Sequence, residues 1–242
     1  MISVVCPFYN EADNLKALLP RLEAALHTTR DNWEIIFVDD GSTDGGAEDL
    51  KLKAQAQPRL RLIQFEKNCG LSSALYAGFR QAQGEWIATL DADLQNPPEE
   101  IPALAGAIKK TGADMVTGIR KTRNDGMVRK ISSRVACRVR QAVLKDTIED
   151  IGCSLRIFKK EVLKAFFPYK NMHRFFPAVA ERMGFKVVQV YVLHEPRVSG
   201  KSKFGIGNRL GAGLWDLASV RWMLSRNISY DIKGGERYGL TK

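Results

Sequence analysis

The sequence contains no run of 18 uncharged apolar residues; its nearest approach, Leu214 to Leu224, is broken by Asp216 and Arg221. A membrane-crossing helix needs about 20 predominantly apolar residues, so no bilayer span is expected. Met1 leads directly into Ile2-Ser3-Val4-Val5-Cys6, which leaves no room for a signal peptide and sets the expectation of a cytoplasmic protein. Cysteine is scarce. The four present (Cys6, Cys69, Cys137, Cys153) form no CxxC pair and no metal-ligand spacing, which argues against a disulfide framework and fits reduced thiols. Internal repeats, low-complexity tracts and a convincing interdomain linker are also missing. Acid is nearly absent from residues 119–145, where nine Lys or Arg face one acid, Asp125, for a local charge of +8 in a chain of net +10. Such concentrated basicity points to an anionic partner (nucleic acid, a membrane surface or a phosphorylated substrate) or to a solvated helix face.

What is present reads as one α/β domain with a C-terminal extension. The length of 242 residues supports a sizeable core, and 45% hydrophobic with 26% charged content is ordinary for a soluble globular chain. Strand-like segments at 2–6, 34–38, 60–65, 85–90 and 113–118 alternate with helical spacing, as in Leu15, Leu18, Leu19, Leu22 and Leu26, or Leu71, Leu75, Gly78 and Phe79. Pro98 is placed to open a helix running to about Thr111. This βαβα alternation predicts a mostly parallel sheet flanked by helices, with ligands at the carboxyl ends of its strands. Beyond the basic stretch, itself helix-like, come strand-like segments at 154–158 and 187–193 and a helix-like segment at 171–183.

Three of the early strands end in polar, turn-forming clusters: Pro7-Phe8-Tyr9-Asn10-Glu11, Asp39-Asp40-Gly41-Ser42 and Asp91-Ala92-Asp93. In "TLDADLQNPPEE" (residues 89–100) an apolar run ends in two aspartates one residue apart. Residues i and i+2 of a strand share a face, so these carboxylates repel each other unless a cation sits between them. A hard divalent cation with oxygen ligands is one reading; a strand-ending turn that caps the next helix is the other.

Six stretches in order, "VVCPFYNEADNL", "IIFVDDGSTDGG", "GLSSALYAGF", "ATLDADLQNPPEE", "DIGCSLRIFKKE" and "HEPRVSGKSKFG", resemble family 2 glycosyltransferases of the GT-A (Rossmann-like) fold. More narrowly, they resemble the polyprenyl-phosphate, dolichyl-phosphate mannosyltransferase-like branch, over residues 2 to about 209. The resemblance implies a Mg²⁺ or Mn²⁺ held by Asp91, Asp93 and the Gln95 amide oxygen, with the donor diphosphate completing the shell. It implies a nucleotide pocket lined by Pro7, Tyr9, Glu11, Asp39 and Asp40, and Arg120 near the phosphates. It makes Asp93 and Asp150 the catalytic carboxylates, Asp150 lying close to the reacting centre. Arg134, with Arg197, Lys201 and Lys203 of the 194–205 loop, would hold the acceptor phosphate, a role for which Gly/Ser-rich basic loops and guanidinium forks are suited. In relatives a serine follows the second arginine by four residues, where this chain has Arg138.

The expected activity is inverting transfer of a sugar from a nucleotide-diphosphate donor to a polyprenyl phosphate of the undecaprenyl or dolichyl type. "DDGSTDGG" leans to UDP-sugars, with GDP-mannose the alternative donor. Residues 1–209 form the expected catalytic domain, and 210–242 an extension that stops short of the membrane-spanning helices of many relatives. Within it Leu214, Trp215, Leu217, Ala218, Arg221, Trp222, Leu224 and Arg226 outline an amphipathic helix for the cytoplasmic membrane face, for the domain core or for a membrane-spanning partner protein. Two rivals differ in class. A glycosyltransferase with a soluble or polysaccharide acceptor would not need the paired basic sites. A nucleic-acid-binding protein would have no use for acidic strand ends, so no nucleic-acid partner is expected.

Overall fold

The computed structural model describes residues 1–121, 127–196, 207–228, 230, 231, 237 and 238, with backbone alone for 127–131, 207–212 and the last four. The apolar runs become seven strands: β1 Ile2–Phe8, β2 Trp33–Asp39, β3 Leu60–Gln64, β4 Trp86–Thr89, β5 Met115–Arg120, β6 Arg156–Lys159 and β7 Val187–Val192. They form one sheet in the order β3-β2-β1-β4-β6-β5-β7. Every pairing is parallel except the two made by β6, which runs antiparallel between β4 and β5. The expectation of a mostly parallel sheet holds. The chain moves outward from β1 to β3 and then returns to β4 on the other side of β1, so the strand order reverses between β1 and β4. That reversal opens a crevice at the carboxyl ends of these strands.

Among the described residues seven α-helices accompany the sheet: α1 Ala12–Thr28, α2 Gly46–Ala56, α3 Leu71–Gln81, α4 Ile101–Thr111, α5 Met127–Leu144, α6 Met172–Arg182 and α7 Gly207–Ser225. Leu15, Leu18, Leu19, Leu22 and Leu26 all face inward, packing α1 with α2 and α4 on one side of the sheet. The other side buries Ala74, Leu75 and Phe79 of α3 with Phe176 of α6 against Val5, Ile36, Ile87 and Phe158. Phe158 meets Phe176 edge to face at 4.7 Å between ring centres. α2 escapes sequence reading because it buries only Gly46, Ala47 and Leu50, too few for an apolar period. The helix expected from Pro98 begins as a 3₁₀ turn, Pro98–Glu100, and becomes α-helical at Ile101. Pro102 has no N–H to donate to the carbonyl of Pro98, so that turn closes one residue shorter.

A third apolar cluster joins Leu144 of α5, Ile148, Phe175 and Ala178 of α6, and Leu217 and Val220 of α7. α7 therefore packs one face against α5 and α6. Tyr230–Asp231 (β8) and Arg237–Tyr238 (β9) make a small antiparallel ribbon. No helix among the described residues is long and apolar enough to cross a membrane.

Candidate functional site

Because β1, β2 and β4 are parallel, their three polar ends meet at one edge of the sheet. The loops after β1 and β2 hold each other. Asn10, in the left-handed region at φ 55, donates its N–H to Ser42 Oγ at 2.9 Å and accepts from Thr43 N–H at 2.8 Å. Asp44 accepts from the N–H of Ala12 at 2.8 Å, capping α1 from the neighbouring loop. Close approach requires glycine here: a Cβ on Gly41 (φ +77) would lie 2.6 Å from the Lys67 carbonyl carbon.

Pro7 is buried within β1, and Tyr9 and Glu11 are half-buried at its end, Glu11 accepting from Asn14 Nδ2 at 2.5 Å. Asp39 accepts from Ser42 N–H at 2.8 Å. Asp40 is buried, and both its oxygens receive backbone N–H groups that open α3, from Cys69 at 2.7 Å and Gly70 at 2.9 Å. Its carboxylate thus fixes the α3 entry.

In the β4 loop, Leu94 adopts φ 59 and is buried, which turns the chain so that Asp93 Oδ1 accepts from Gln95 N–H at 3.2 Å. Asp91 is half-buried and Asp93 is 9% exposed. Burial, and then the charges of Asp91, Asp93 and Glu11, push the Cys6 thiol well above its ordinary pKa. The negative charges of Asp91, Asp93 and Glu11 all act on this edge, a field suited to a hard cation. Among the described residues no group of three His, Cys, Asp or Glu forms a complete cage. Two carboxylates and the Gln95 amide are the donor set expected where substrate phosphates and water finish an octahedral shell, so these residues fit Mg²⁺ or Mn²⁺. Buried Asn96 anchors the loop, donating Nδ2–H to Ser154 Oγ at 2.9 Å, and Gln95 O accepts from Glu195 N–H at 2.8 Å.

The antiparallel course of β6 carries its leading loop, residues 150–154, to this same edge. There Asp150 meets Arg120 at the end of β5 in a two-pronged pair, Nε to Oδ2 and Nη2 to Oδ1, both at 2.7 Å. The side chains are only 8% and 15% exposed, respectively. The two residues expected at the reacting centre and at the phosphates are thus partners of each other. Gly152 makes the room, since a Cβ there would stand 2.6 Å from Arg120 Nη2.

Further polar residues at this edge escaped sequence reading. Arg156 of β6 is buried and donates to the carbonyls of His173 at 2.7 Å and Ile151 at 2.9 Å. Its signal is a charge inside an apolar strand. Burial lowers its pKa to about 10. His173 Nδ1 lies 2.9 Å from Ser72 Oγ, which accepts from Asn171 N–H at 2.9 Å. Burial, with Arg156 and Arg174 nearby, drops the His173 pKa to about 3, so the ring is neutral at physiological pH. From the basic run, Arg140 turns inward, pairs with Asp146 at 3.1 Å and bonds the Ile148 carbonyl. Burial raises the Asp146 pKa, with Arg140 opposing it.

Arg134 and Arg138 are exposed on α5. Arg197, Lys201 and Lys203 lie outside the described residues. On the outward face of α7, Leu214 is exposed, and Trp215 and Trp222 are 77% and 62% exposed. The two tryptophans flank a shallow groove with Ala218, Ser219 and Met223.

Residues 3–167 match the family model described as glycosyl transferase family 2. The chain is 39% identical over 206 residues to the undecaprenyl-phosphate 4-deoxy-4-formamido-L-arabinose transferase of Edwardsiella ictaluri (strain 93-146), covering 85% of this chain and 63% of that protein. It is likewise 39% identical over 207 residues to the protein of that name from Serratia proteamaculans (strain 568), with 85% and 63% covered. The chain therefore spans somewhat less than two thirds of the length of these relatives. Among solved structures, the mannosyltransferase from Pyrobaculum calidifontis in complex with GDP-Man and Mn²⁺ superposes with TM-score 0.63 at 22% identity, covering 83% of this chain and 58% of that one. Glucosyl-3-phosphoglycerate synthase from Mycobacterium tuberculosis, in complex with Mn²⁺, UDP and phosphoglyceric acid, superposes with TM-score 0.68 at 18% identity, covering 98% and 85%. These likenesses carry the fold, the GT-A arrangement. The family model covers most of the chain, and the chain belongs to glycosyl transferase family 2.

Proposed function

We propose that the protein moves a sugar from a nucleoside-diphosphate donor to a polyprenyl phosphate, inverting the anomeric centre. The observation that carries this reading is the meeting, on one sheet edge, of Asp91 and Asp93 with the Asp150–Arg120 pair. The names of the relatives, undecaprenyl-phosphate transferases, support the acceptor class. Pro7, Tyr9, Glu11 and Asp39 line the donor pocket, and Asp40 braces it through the amides of Cys69 and Gly70. A Mg²⁺ or Mn²⁺ on Asp91, Asp93 and Gln95 would supply charge neutralisation for the departing diphosphate. Asp150 holds Arg120 against that charge and orients the reacting groups. It need not take a proton, because a phosphate monoester with a second pKa of about 6 is already largely ionised at pH 7. Rate then comes from positioning and from fixed charge. Arg134, Arg197, Lys201 and Lys203 hold the acceptor phosphate.

The acceptor lies in a membrane, and we assign docking to the cytoplasmic face to α7 and the basic α5. α7 buries Leu217 and Val220 inward while Leu214, Trp215 and Trp222 face out, beside exposed Arg221 and Arg226. Residues 1–209 are the catalytic unit in this reading, and 210–242 the docking extension. Each basic residue near an anionic leaflet contributes about 1 kcal/mol, screened by salt, whereas tryptophan burial resists salt. Anionic vesicles should therefore bind the protein at low salt and release part of it at high salt, and Trp215→Ser with Trp222→Ser should weaken binding further. No binding at low salt leaves a membrane-spanning partner protein as the route to the lipid.

The deciding experiment offers UDP- and GDP-sugars with a short prenyl phosphate and reads glycolipid by mass spectrometry. UDP-sugars are the expected donors. Glycolipid formation supports the proposal; sugar transfer to soluble acceptors alone overturns it.

A further inference from the structure

At the Arg156 position of β6 the alternation calls for an apolar residue. Arg156 pairs with Thr89 of β4 and Thr117 of β5, which puts these three side chains on the face that also carries Ile87, Phe158 and Met115. Asp91 follows Thr89 by two residues, in the loop just beyond the carboxyl end of β4. The residue is 4% exposed, and among the described residues no carboxylate lies within ion-pair distance of it. Its Nη1 and Nη2 donate to main-chain carbonyls, and its Nε is buried with no hydrogen-bond partner among the described residues. A lone buried cation is strongly unfavourable unless opposite charge lies close by. Against the burial, the groups that favour its charge are Cys153 first and then the carboxylates of Asp91 and Asp150, with Arg120 opposing them. One of its two carbonyl partners, Ile151, directly follows Asp150; the other, His173, ties the same guanidinium to α6 and, through Ser72, to the α3 entry.

We propose that Arg156 is a positioning residue for the transfer reaction: its charge offsets the mutual repulsion of Asp91 and Asp150, and its carbonyl bonds hold the Ile151 turn so that the Asp150–Arg120 pair keeps register with the Asp91–Asp93 edge. The role in turnover rests on the transferase reading, but the electrostatic role does not.

Arg156→Met and Arg156→Lys separate charge from geometry. Mn²⁺ binding to the protein alone, read from the free-ion electron paramagnetic resonance signal, needs no activity. Removing a cation from beside Asp91 should tighten Mn²⁺ binding in Arg156→Met by about tenfold or more, and Arg156→Lys should stay within about threefold of wild type. Turnover should move the opposite way. Loosening the Ile151 turn should lower kcat of Arg156→Met about 10–100-fold with donor KM little changed, and Arg156→Lys should recover part of it. Tighter metal with slower transfer is a combination that general loss of structure does not produce. Unchanged or weaker Mn²⁺ binding in folded Arg156→Met, or wild-type kcat in it, overturns the proposal. Should Arg156→Met fail to fold by circular dichroism, Arg156→Lys carries the test: wild-type Mn²⁺ affinity with reduced kcat supports the role, and wild-type kcat overturns it. If the wild type transfers no sugar, the transferase reading fails, and the Mn²⁺ comparison still judges the charge.

Discussion

Gly152→Ala adds one methyl group beside the pair on which the site turns. Its Cβ would lie 2.6 Å from Arg120 Nη2 and 3.4 Å from Asp150 Oδ1. Ordinary contact needs about 3.5 Å, so the guanidinium must retreat by roughly 0.9 Å. The Nη2–Oδ1 bond starts at 2.7 Å, and such a retreat carries it past the ~3.2 Å limit of a good hydrogen bond. Losing a charge-assisted bond at this burial costs about 1.5–3 kcal/mol. Gly152 is not among the positive-φ residues, so its backbone accepts alanine. The stiffer unfolded chain returns about 0.4–1 kcal/mol. The net loss is about 1–2 kcal/mol, or roughly 2–8 °C in Tm for a chain of this size. Urea titration followed by tryptophan fluorescence measures it, in wild type and in an Arg120→Ala background. The loss should vanish once the guanidinium is gone, leaving alanine neutral or mildly stabilising. An equal loss in both backgrounds refutes the steric argument.

Asp93→Asn should nearly abolish turnover with the fold intact, as kinetics at saturating Mn²⁺ would report; normal activity there removes Asp93 from the metal site. His173, whose pKa falls from 6.5 to about 3, keeps its full stabilising effect above pH 6.5 and loses it as pH falls toward 3. By pH 4.5 this amounts to about 2–3 kcal/mol, so His173→Gln should flatten the stability profile between pH 6.5 and 4.5 in urea titrations. Arg197→Ala and Lys201→Ala should raise KM for the prenyl phosphate more than for the nucleotide sugar, and equal rises would put that loop over the diphosphate.

Much of this was legible in the residues themselves. The continuous apolar runs of Ile2–Phe8 and Trp33–Asp39, buried on both faces, and the leucine spacing of α1 mark their elements because what each element buries is written locally. The βαβ alternation makes the early strands parallel, and so the acidic ends of β1, β2 and β4 share an edge. Other features depend on long-range register, for which a local pattern carries no mark. Nothing within Arg156–Lys159 tells that this strand inserts antiparallel between β4 and β5, yet that insertion brings Asp150 to Arg120 across 30 positions of sequence. The basic run reads as a uniform charge, but packing sorts it: Arg140 turns into the core beside Asp146 while Arg134 stays in solvent. Asp40 reads as a ligand-facing acid, and the fold gives its oxygens to the amides that open α3, because a buried carboxylate must be matched by donors wherever the chain brings them.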